Sequence, residues 1–249
     1  TCIQALTQLD RETQVALLQN DLRLVLSASE PLALDIPRGW TRLFGNRAKM
    51  INMFGQTETS GIVTVYPIPH NPDAERGVPI GRPISNSTVY LLDAFQRPVP
   101  IGARGEVYVG GSCVGAGYLN QPDLTAARFI QDPFSTSVTA RLYRTGDQAR
   151  FLPDGNIEFL GRSDHQIKVR GFRIEPGEIE TVLGQHPLVR ECAVIPVSGP
   201  GGQRLVAHVV AARDCAEFIP ELREYAKAKL PLYMVPAAFV ELENLPRMS

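Results

Sequence analysis

The spacing of apolar residues changes between Gly161 and Glu180, and the change predicts two parts of different construction. Near the start of the chain, apolar residues up to Leu18 recur at approximate helical spacing, and Leu22 to Leu26 then form a short apolar run that predicts a strand. The small residues Ser27 to Ser29 follow as a loop. Helix, strand and small-residue loop in this order indicate an α/β unit, in which ligands collect beyond the carboxyl ends of the strands.

Alternating apolar and polar positions from Thr88 onward predict antiparallel β structure, because the side chains of a strand alternate between its two faces. Pro122 favours the first turn of a helix that runs to about Phe129, with Leu124 and Phe129 as packing residues in a scaffolding segment. These elements predict a small β-rich subdomain after the α/β unit. The expected strands are Val89–Leu92, Glu106–Val109, Ala149–Leu152 and Ile157–Leu160.

Beyond residues 161–180 the pattern predicts a smaller α+β part. Pro176 begins a helix in which Ile179, Val182 and Leu183 share one face. The other expected elements are strands at Val189–Val197 and Leu205–Ala211, a helix at Ile219–Leu230 and a last strand at Phe239–Leu242.

The composition of the 249 residues argues against nucleic acid or a membrane as a partner. The 25 basic and 26 acidic residues give a net charge of -1, so no excess of positive charge attracts an anionic polymer or bilayer. No apolar run approaches the roughly 20 residues of a membrane span, and the first residues lack the pattern of a secretory signal. The four cysteines form no CxxC pair, which favours a reduced, cytoplasmic setting.

A polar block follows a strand expected at Lys49–Met53. Phe54 to Gly61 contains glycine, several hydroxyl groups and the carboxylate of Glu58. Such a set supplies a flat ring, donors for phosphate oxygens and a carboxylate that can hold Mg²⁺ against those oxygens. A Thr/Ser-rich loop capped by a glutamate is the structural alternative.

A second carboxylate, Asp147, is expected to follow a tight turn at Gly146, directly before a hairpin. In that position it could accept two hydrogen bonds, as the hydroxyls of an ATP ribose would offer. An exposed Gly-Asp turn without a ligand is the alternative interpretation.

A third carboxylate, Asp164, lies between Arg162 on one side and Lys168, Arg170 and Arg173 on the other. Glycines close by supply backbone freedom, so the stretch suits a junction that moves near anionic ligands. The same basic residues could instead form a solvated face, as most runs of charge do.

These blocks resemble, in order, the motifs of adenylate-forming enzymes, most closely the adenylation domains of nonribosomal peptide synthetases. Residues 52–58 are similar to NxYGPTE, residues 143–147 match YRTGD, and residues 161–180 resemble the hinge motif. The segment 110–130 is close to the peptide synthetase signature GYLxxPxLTxxRF. The five matching blocks lie at residues 52–61, 105–119, 143–147, 161–180 and 230–236, the last of which matches LPxYMVP.

The resemblance covers nearly the whole chain but only the later part of the family's enzyme. It implies that residues 1–163 form the later part of the large adenylation core. Residues 164–249 are then a small mobile C-terminal lid subdomain that has its hinge at Asp164 and stops before the terminal lysine motif. The Ser/Thr/Gly-rich phosphate loop is also not found, so we expect the chain to be inactive alone and to work with a missing upstream part of the core.

The resemblance also implies roles for individual residues. Thr57, Glu58 and Lys168 are expected to take part in catalysis, with Glu58 as the ligand of Mg²⁺. The acid pocket is expected to be mainly apolar, which favours a hydrophobic substrate, although its positions could equally belong to the core. The pocket residues are Val25, Ser27, Met53, Gly61 and Ile62. The residues expected to contact the nucleotide are Ser27, Ala28, Ser29, Asn52, Met53, Phe54, Gly55, Thr57, Asp147, Phe159 and Arg162.

The implied function is ATP- and Mg²⁺-dependent activation of a carboxylic or amino acid as an acyl-adenylate. Transfer to the phosphopantetheine thiol of a carrier domain follows, which makes that domain and the acid the expected partners. Gln56 stands where peptide synthetases usually carry proline and is similar to acyl-CoA ligases, so free coenzyme A is an alternative acceptor. A non-catalytic docking fragment is the third hypothesis. The acid could be an amino, keto, hydroxy or aryl acid.

Overall fold

The structure, a computed structural model, describes residues 8–18, 21–44, 48–70, 77–164, 166–169, 171–199, 202–213 and 217–246. The chain divides into two compact units, residues 1–164 and residues 165–249, and the division falls directly after Asp164. Each unit has its own sheet structure and its own buried apolar core.

The first unit combines helices with two sheets. Its helices are α1 (Arg11–Leu18), α2 (Asp35–Phe44) and α3 (Pro122–Arg128). Its strands are β1 (Leu24–Ser27), β2 (Lys49–Gln56), β3 (Gly61–Pro67), β4 (Arg82–Pro83), β5 (Ser87–Leu92), β6 (Gly105–Gly111), β7 (Phe129–Gln131), β8 (Arg141–Phe151) and β9 (Ile157–Arg162). A 3₁₀ turn, Thr57–Thr59, joins β2 to β3.

The first sheet has the strand order β1-β2-β3-β4, in which β1 and β2 are parallel and the other pairs are antiparallel. Alternate residues of β2 are buried, namely Met50, Asn52, Phe54 and Gln56. The pleat of a strand produces this alternation, because successive side chains point to opposite faces. Gln56 therefore lies on the same buried face as Phe54.

Strand β8 is the centre of the second sheet. It pairs with β6, with β7 through Arg141–Tyr143 and with β9 through Asp147–Phe151. Strand β5 completes the sheet by pairing with β6. The segment 143–147 thus lies inside a paired strand, where the backbone holds its side chains in fixed positions.

One apolar core joins the two sheets of the first unit. Phe54 and Val63 come from the first sheet, and Val107, Ala149 and Ile157 come from the second. Full burial of a large apolar side chain stabilises the folded state by about 1.5–3 kcal/mol. This packing holds the end of β2 next to β8, which decides the geometry of the site described below.

The second unit is an α+β structure. Its sheet has the order β12-β13-β14, and a separate hairpin is formed by β10 and β11. The predicted helix faces are buried, since Ile179, Leu183, Leu222 and Ala226 belong to one core. Its elements are β10 (Ile167–Val169), β11 (Phe172–Ile174), α4 (Pro176–Gly184), β12 (Val189–Gly199), β13 (Gly202–Ala211), α5 (Phe218–Lys229) and β14 (Ala238–Glu241).

The described cysteines fit the interpretation that they pack rather than bind metal. Cys192 is half-buried, and burial, followed by the charge of Glu180, raises the pKa of its thiol to about 11. Cys113 and Cys192 are both free thiols. Cys2 and Cys215 lie outside the described residues.

The predicted fold class, an α/β unit followed by β-rich and α+β parts, is confirmed. The predicted end of β2 at Met53 is wrong, because the strand continues to Gln56. Gly55 makes this extension possible: a Cβ at Gly55 would lie 1.8 Å from the carbonyl oxygen of Gly61. The returning strand β3 can approach this closely only where the side chain is absent.

Two further local predictions are wrong. Asp147 does not follow a tight turn, and the alternative of an exposed turn fails as well, because Gly146 and Asp147 lie within β8. Gly146 has φ +77°, a left-handed conformation that glycine adopts without steric cost and that allows a strand to deviate locally. Leu124 is 40% exposed and does not pack into the core, whereas Phe129 is buried as expected.

Within the described ranges, no helix is both long and apolar enough to cross a lipid bilayer.

We predict that Gly55→Ala destabilises the first unit by about 1–3 kcal/mol or more, because the new methyl group would collide with the backbone at Gly61. Urea unfolding of the purified protein measures the change. Gly39→Ala is the matched control, since a Cβ at Gly39 meets nothing within 4 Å in the middle of α2. It should stabilise the protein by roughly 0.5–1 kcal/mol. Equal effects of the two substitutions would contradict the close approach of β2 and β3.

Candidate active site

The end of β2 meets the middle of β8 at the carboxylate of Asp147. The side-chain amide Nε2 of Gln56 donates a hydrogen bond to Oδ2 of Asp147. The guanidinium NH1 of Arg162 donates to Oδ1 of the same carboxylate at 2.6 Å. The Asp147 side chain is only 2% exposed. A buried charge must be paired and hydrogen bonded, and here one partner is a cation and the other is a neutral amide.

Arg162 also binds the second carboxylate of the site. Its Nε donates to Oδ1 of Asp164 at 2.7 Å, and its NH2 donates to Oδ2 of Asp164 at 2.8 Å, which is a bidentate pair. The same NH2 donates to the carbonyl oxygen of Thr145 at 2.9 Å. Arg128 at the end of α3 adds a second cation, with NH2 3.6 Å from Oδ2 of Asp164. We call Gln56, Asp147, Arg162, Asp164 and Arg128 the carboxylate cluster.

Gly146 makes room for this cluster. A Cβ at Gly146 would lie 2.5 Å from Oδ2 of Asp164 and 2.8 Å from NH2 of Arg162. The carbonyl oxygen of Gly146 accepts hydrogen bonds from the backbone N-H and the hydroxyl of Ser163, at 2.9 and 3.0 Å. The chain after β9 is therefore held directly against the backbone of β8.

The hydroxyl of Thr145, which precedes Gly146 and Asp147, has a structural role in β8. Its hydroxyl donates to the carbonyl oxygen of Val107 in β6 at 2.8 Å. The same oxygen accepts the backbone N-H of Asp147 at 2.9 Å. Thr145 thus replaces a ladder hydrogen bond where β8 deviates, and it fixes the backbone that carries Asp147.

Glu58 lies in the 3₁₀ turn after β2, where it is half-buried. Its Oε1 accepts a hydrogen bond from the hydroxyl of Tyr118 at 2.8 Å, and its backbone oxygen accepts the N-H of Gly115 at 2.8 Å. The Tyr118 hydroxyl is also 3.5 Å from that of Tyr143. Burial, and then the hydrogen bonds with Tyr143 and Glu58, raise the pKa of Tyr118, so it stays a neutral donor.

Tyr118 was not among the residues expected at the site, because the segment that contains it was given only a scaffolding role. The signal was present in the tyrosine of the Gly117-Tyr118-Leu119 part of the signature. What the local pattern could not show is that this tyrosine reaches a glutamate 60 residues earlier in the chain.

The aromatic residues expected to contact the nucleotide lie side by side. The ring centroids of Phe54 and Phe159 are 6.3 Å apart, and both rings pack on the core between the two sheets. Phe54 is 7% exposed, so most of its surface is buried in that core. Asn52 is also buried, and its Nδ2 donates to the carbonyl oxygen of Pro79 at 2.8 Å. Thr57 is exposed at the turn.

The small-residue loop after β1 contains no glycine, but one of its residues adopts a backbone conformation that glycine favours. Ser29 has φ +80°, in the left-handed region that glycine favours. Ser27 ends β1, and Ala28 and Ser29 are exposed beyond it. The loop therefore lies at the carboxyl end of a parallel strand, where ligands of α/β sheets collect.

The residues expected to line the acid pocket lie on two faces of the first sheet. Val25 pairs with Met50 and Ser27 pairs with Asn52 in the parallel pair β1-β2, so these side chains share one face. Met53 projects from the other face, because neighbouring residues of a strand alternate.

The start of β3 adds two more of the expected pocket residues. Gly61 and Ile62 pair with Gln56 and Gly55 at the end of β2. Gly55 is two residues from Met53, so Ile62 projects from the same face as Met53. Met53 and Ile62 therefore share one face of the sheet, whereas Val25 and Ser27 lie on the other face.

Lys168 lies in the second unit, on β10. It pairs across the hairpin with Arg173 of β11, which places two positive charges on neighbouring strands. Like charges in this position are unfavourable unless an anion or a carboxylate balances them. Arg170 and His165 lie outside the described residues.

A cage of protein ligands for a metal is not found in the part of the chain that the structure describes, since no three His, Cys, Asp or Glu residues there come together. Mg²⁺ does not require such a cage when phosphate oxygens supply most of its ligands. Glu58 is half-buried and offers a hard carboxylate oxygen, so it fits an ion shared with phosphates.

Two family models match the chain. The model of the AMP-binding enzyme matches residues 1–119, and the model of the AMP-binding enzyme C-terminal domain matches residues 178–249. The chain belongs to the AMP-binding enzyme family. The matched blocks around Glu58 and in the second unit are therefore family motifs rather than chance patterns.

This member of the AMP-binding family is similar to large synthetases. It is 49% identical over 226 residues to malpibaldin synthetase of Mortierella alpina, a match that covers 90% of this chain and 4% of that protein. It is 47% identical over 198 residues to gramicidin S synthase 2 of Brevibacillus brevis, covering 79% of this chain and 4% of that protein. The chain thus spans only a small part of the curated relatives it matches.

A solved structure gives the same result. NpsA-ThdA, an artificially fused adenylation-PCP di-domain of a nonribosomal peptide synthetase from Klebsiella oxytoca, is 29% identical with a TM-score of 0.76. The match covers 92% of this chain and 44% of that one. The resemblance to adenylation domains of peptide synthetases is confirmed. The coenzyme A ligase and docking-fragment alternatives are not favoured.

We predict that Arg162→Lys destabilises the protein by about 1–3 kcal/mol, because an ammonium group cannot bridge Asp147, Asp164 and the Thr145 carbonyl as a planar guanidinium does. The measurement is urea unfolding. Arg150→Lys serves as the control, since Arg150 pairs with Glu158 across the same two strands but is largely exposed. Its effect should stay below roughly 0.5 kcal/mol. Similar losses in both variants would show that the bridge is unimportant.

Proposed function

We propose that this chain is the later part of an adenylation domain that activates an amino acid with ATP in a nonribosomal peptide synthetase. The observation that carries the proposal is the convergence of β2 and β8, which sets the carboxylate of Asp147 beside the turn that holds Glu58. Its family membership and its similarity to peptide synthetases support the proposal.

Asp147 is proposed to hold the ribose of ATP. An ionised carboxylate is a pure acceptor with about four lone-pair sites, so ribose hydroxyls can join or replace the present donors. Arg162 orients the carboxylate through its 2.6 Å bond. Phe159, which is half-buried beside Phe54, is proposed to offer an apolar contact to the nucleotide, and the loop Ser27–Ser29 at the end of β1 is proposed to contact adenine.

Glu58 and Thr57 are proposed to act at the phosphates. Thr57 is exposed and can donate its hydroxyl to a phosphate oxygen. Glu58 would hold Mg²⁺, which when bound neutralises charge on the phosphate oxygens. Tyr118 donates to Oε1 of Glu58 and so fixes the carboxylate in the orientation that faces such an ion.

The proposed reaction is the attack of a substrate carboxylate on the α-phosphate of ATP. A bond forms between the carboxylate oxygen and phosphorus, and the bond to pyrophosphate breaks. Lys168, from the second unit, would stabilise the developing negative charge. Met53 and Ile62 are pocket residues that share one face, so we propose that they contact the side chain of the acid and favour an apolar one.

The second step is proposed to use a change of position of residues 164–249 about Asp164, so that one site serves two chemistries. The acceptor is the thiol of a phosphopantetheine group on a carrier domain: its sulfur would form a thioester bond to the acyl carbonyl, the bond to AMP would break, and the thiol proton would be lost. The adenylation-PCP architecture of NpsA-ThdA supports a carrier domain as the partner. A reducing, cytoplasmic setting would keep that thiol and the free cysteines reduced.

The test is substrate-dependent ATP-pyrophosphate exchange by the full-length protein, with a panel of amino, hydroxy and aryl acids. We predict that Asp147→Asn raises the KM for ATP roughly ten- to hundredfold, because charge-assisted hydrogen bonds to the ribose are lost. Asp154→Asn is the control, since Asp154 lies exposed in the turn between β8 and β9. An unchanged KM in a folded Asp147→Asn variant, or no exchange with any acid in the wild type, would refute the proposal.

A further inference from the structure

The two donors on Asp147 differ in how firmly they are held. Arg162 bonds three acceptors in addition to Asp147, namely both oxygens of Asp164 and the carbonyl of Thr145, at 2.7 to 2.9 Å. Its bonds to carboxylates are charge-assisted and therefore about twice as strong as neutral ones. Arg162 cannot leave Asp147 without disturbing two further partners.

Gln56 is attached to Asp147 far more loosely. It contributes one neutral amide donor, on Oδ2, where Arg162 uses Oδ1. Its backbone does not depend on that contact, because Gln56 pairs with Gly61 in the sheet and its N-H donates to the Thr59 hydroxyl at 3.2 Å. The strand pairing therefore does not depend on the contact between Gln56 and Asp147.

The backbone at this position also separates the chain from the proline version of the motif. Gln56 has φ -143°, whereas proline is restricted to about -65° and has no N-H to donate. In this chain the residue before the 3₁₀ turn donates its side-chain amide to Asp147. A proline in the same position has no side-chain donor and could not make this hydrogen bond.

The Asp147 side chain is 2% exposed, so a ribose hydroxyl can reach it only if a group that now covers it yields. Of Gln56 and Arg162, Gln56 costs less to displace from Asp147, because its amide is neutral and does not bridge a second carboxylate. We propose that Gln56 competes with the ribose of ATP for Oδ2 of Asp147 and thereby sets the affinity for the nucleotide. The inference rests on the proposed function, since it assumes that Asp147 binds ribose.

The test measures the affinity of the full-length protein for ATP, 2′-deoxyATP and 3′-deoxyATP by titration calorimetry. Gln56→Met removes the competing donor at similar volume, so ATP should bind roughly two- to tenfold more tightly, as expected for one hydrogen bond. The deoxy analogue that lacks the ribose hydroxyl bound by Oδ2 of Asp147 should bind the Gln56→Met variant no more tightly than it binds the wild type.

Gln166→Met is the matched control, because Gln166 is also buried and donates its amide to a carboxylate, that of Glu175 in the second unit. It should leave all three affinities unchanged. Gln56→Ser is the second variant if Gln56→Met does not fold, since it leaves room for water beside Asp147, and the same gain is expected.

Weaker or unchanged ATP binding in a folded Gln56 variant would overturn the competition. An equal gain for ATP and both deoxy analogues would overturn it too, because the effect would then not lie at the ribose. Asp147→Asn separates this inference from the proposed function. If it binds ATP as the wild type does, the ribose role itself fails. If it weakens ATP binding while the Gln56 variants change nothing, only the competition fails.

Discussion

The guanidinium of Arg162 bridges two carboxylates, and the rest of the first unit is arranged to make this bridge possible. Asp147 and Asp164 would repel each other and resist burial without a shared cation. Arg162 meets both within 2.6 to 2.8 Å. Gly146 leaves the space for this contact. Asp164 is the last residue of the first compact unit. The bridge therefore connects Asp147, the residue proposed to bind the ribose, to the end of that unit.

The site around this bridge also requires that β2 and β8 come together, because Gln56 reaches Asp147 from β2. Apolar burial between the two sheets provides this, with Phe54 on one side and Val107, Ala149 and Ile157 on the other. The core residue Phe54 and the polar residue Gln56 are alternate positions of one strand and point to the same face. When Phe54 packs into the core, Gln56 therefore points toward Asp147. Stability and the candidate chemistry therefore depend on the same strand register, and a shift of one residue would turn Gln56 away.

Local pattern predicts much of the fold. The helix that begins at Pro176 and the burial of Ile179 and Leu183 follow from their spacing and agree with the structure. Glycine and hydroxyl residues flanking Glu58 and Asp147 suffice to single out these two carboxylates. Their secondary structure was less predictable, because a glycine inside a paired strand and a glycine at a turn have the same sequence signature. Strand pairing decided that both lie in strands: Gly55 pairs with Ile62, and residues on either side of Gly146 in β8 pair with β6.

The partners of the candidate residues were harder to predict than the residues themselves. Gln56 and Asp147 are 91 residues apart, and Glu58 and Tyr118 are 60 apart. Tertiary packing alone brings them together, so no spacing rule could reveal them. The faces of the expected pocket residues were hard to predict for a related reason: Val25 and Met53 lie on opposite faces of the sheet, which becomes visible only once the register of β1 against β2 is known.

The most direct measurement is an experimental structure of the full-length protein with ATP and Mg²⁺ bound. We predict a ribose hydroxyl within about 3.2 Å of the Asp147 carboxylate, which is the usual limit of a hydrogen bond. Arg162 should keep its place on that carboxylate, and the amide of Gln56 should have left it. A ribose bound elsewhere, with Asp147 still covered by both Gln56 and Arg162, would contradict the proposed role of Asp147.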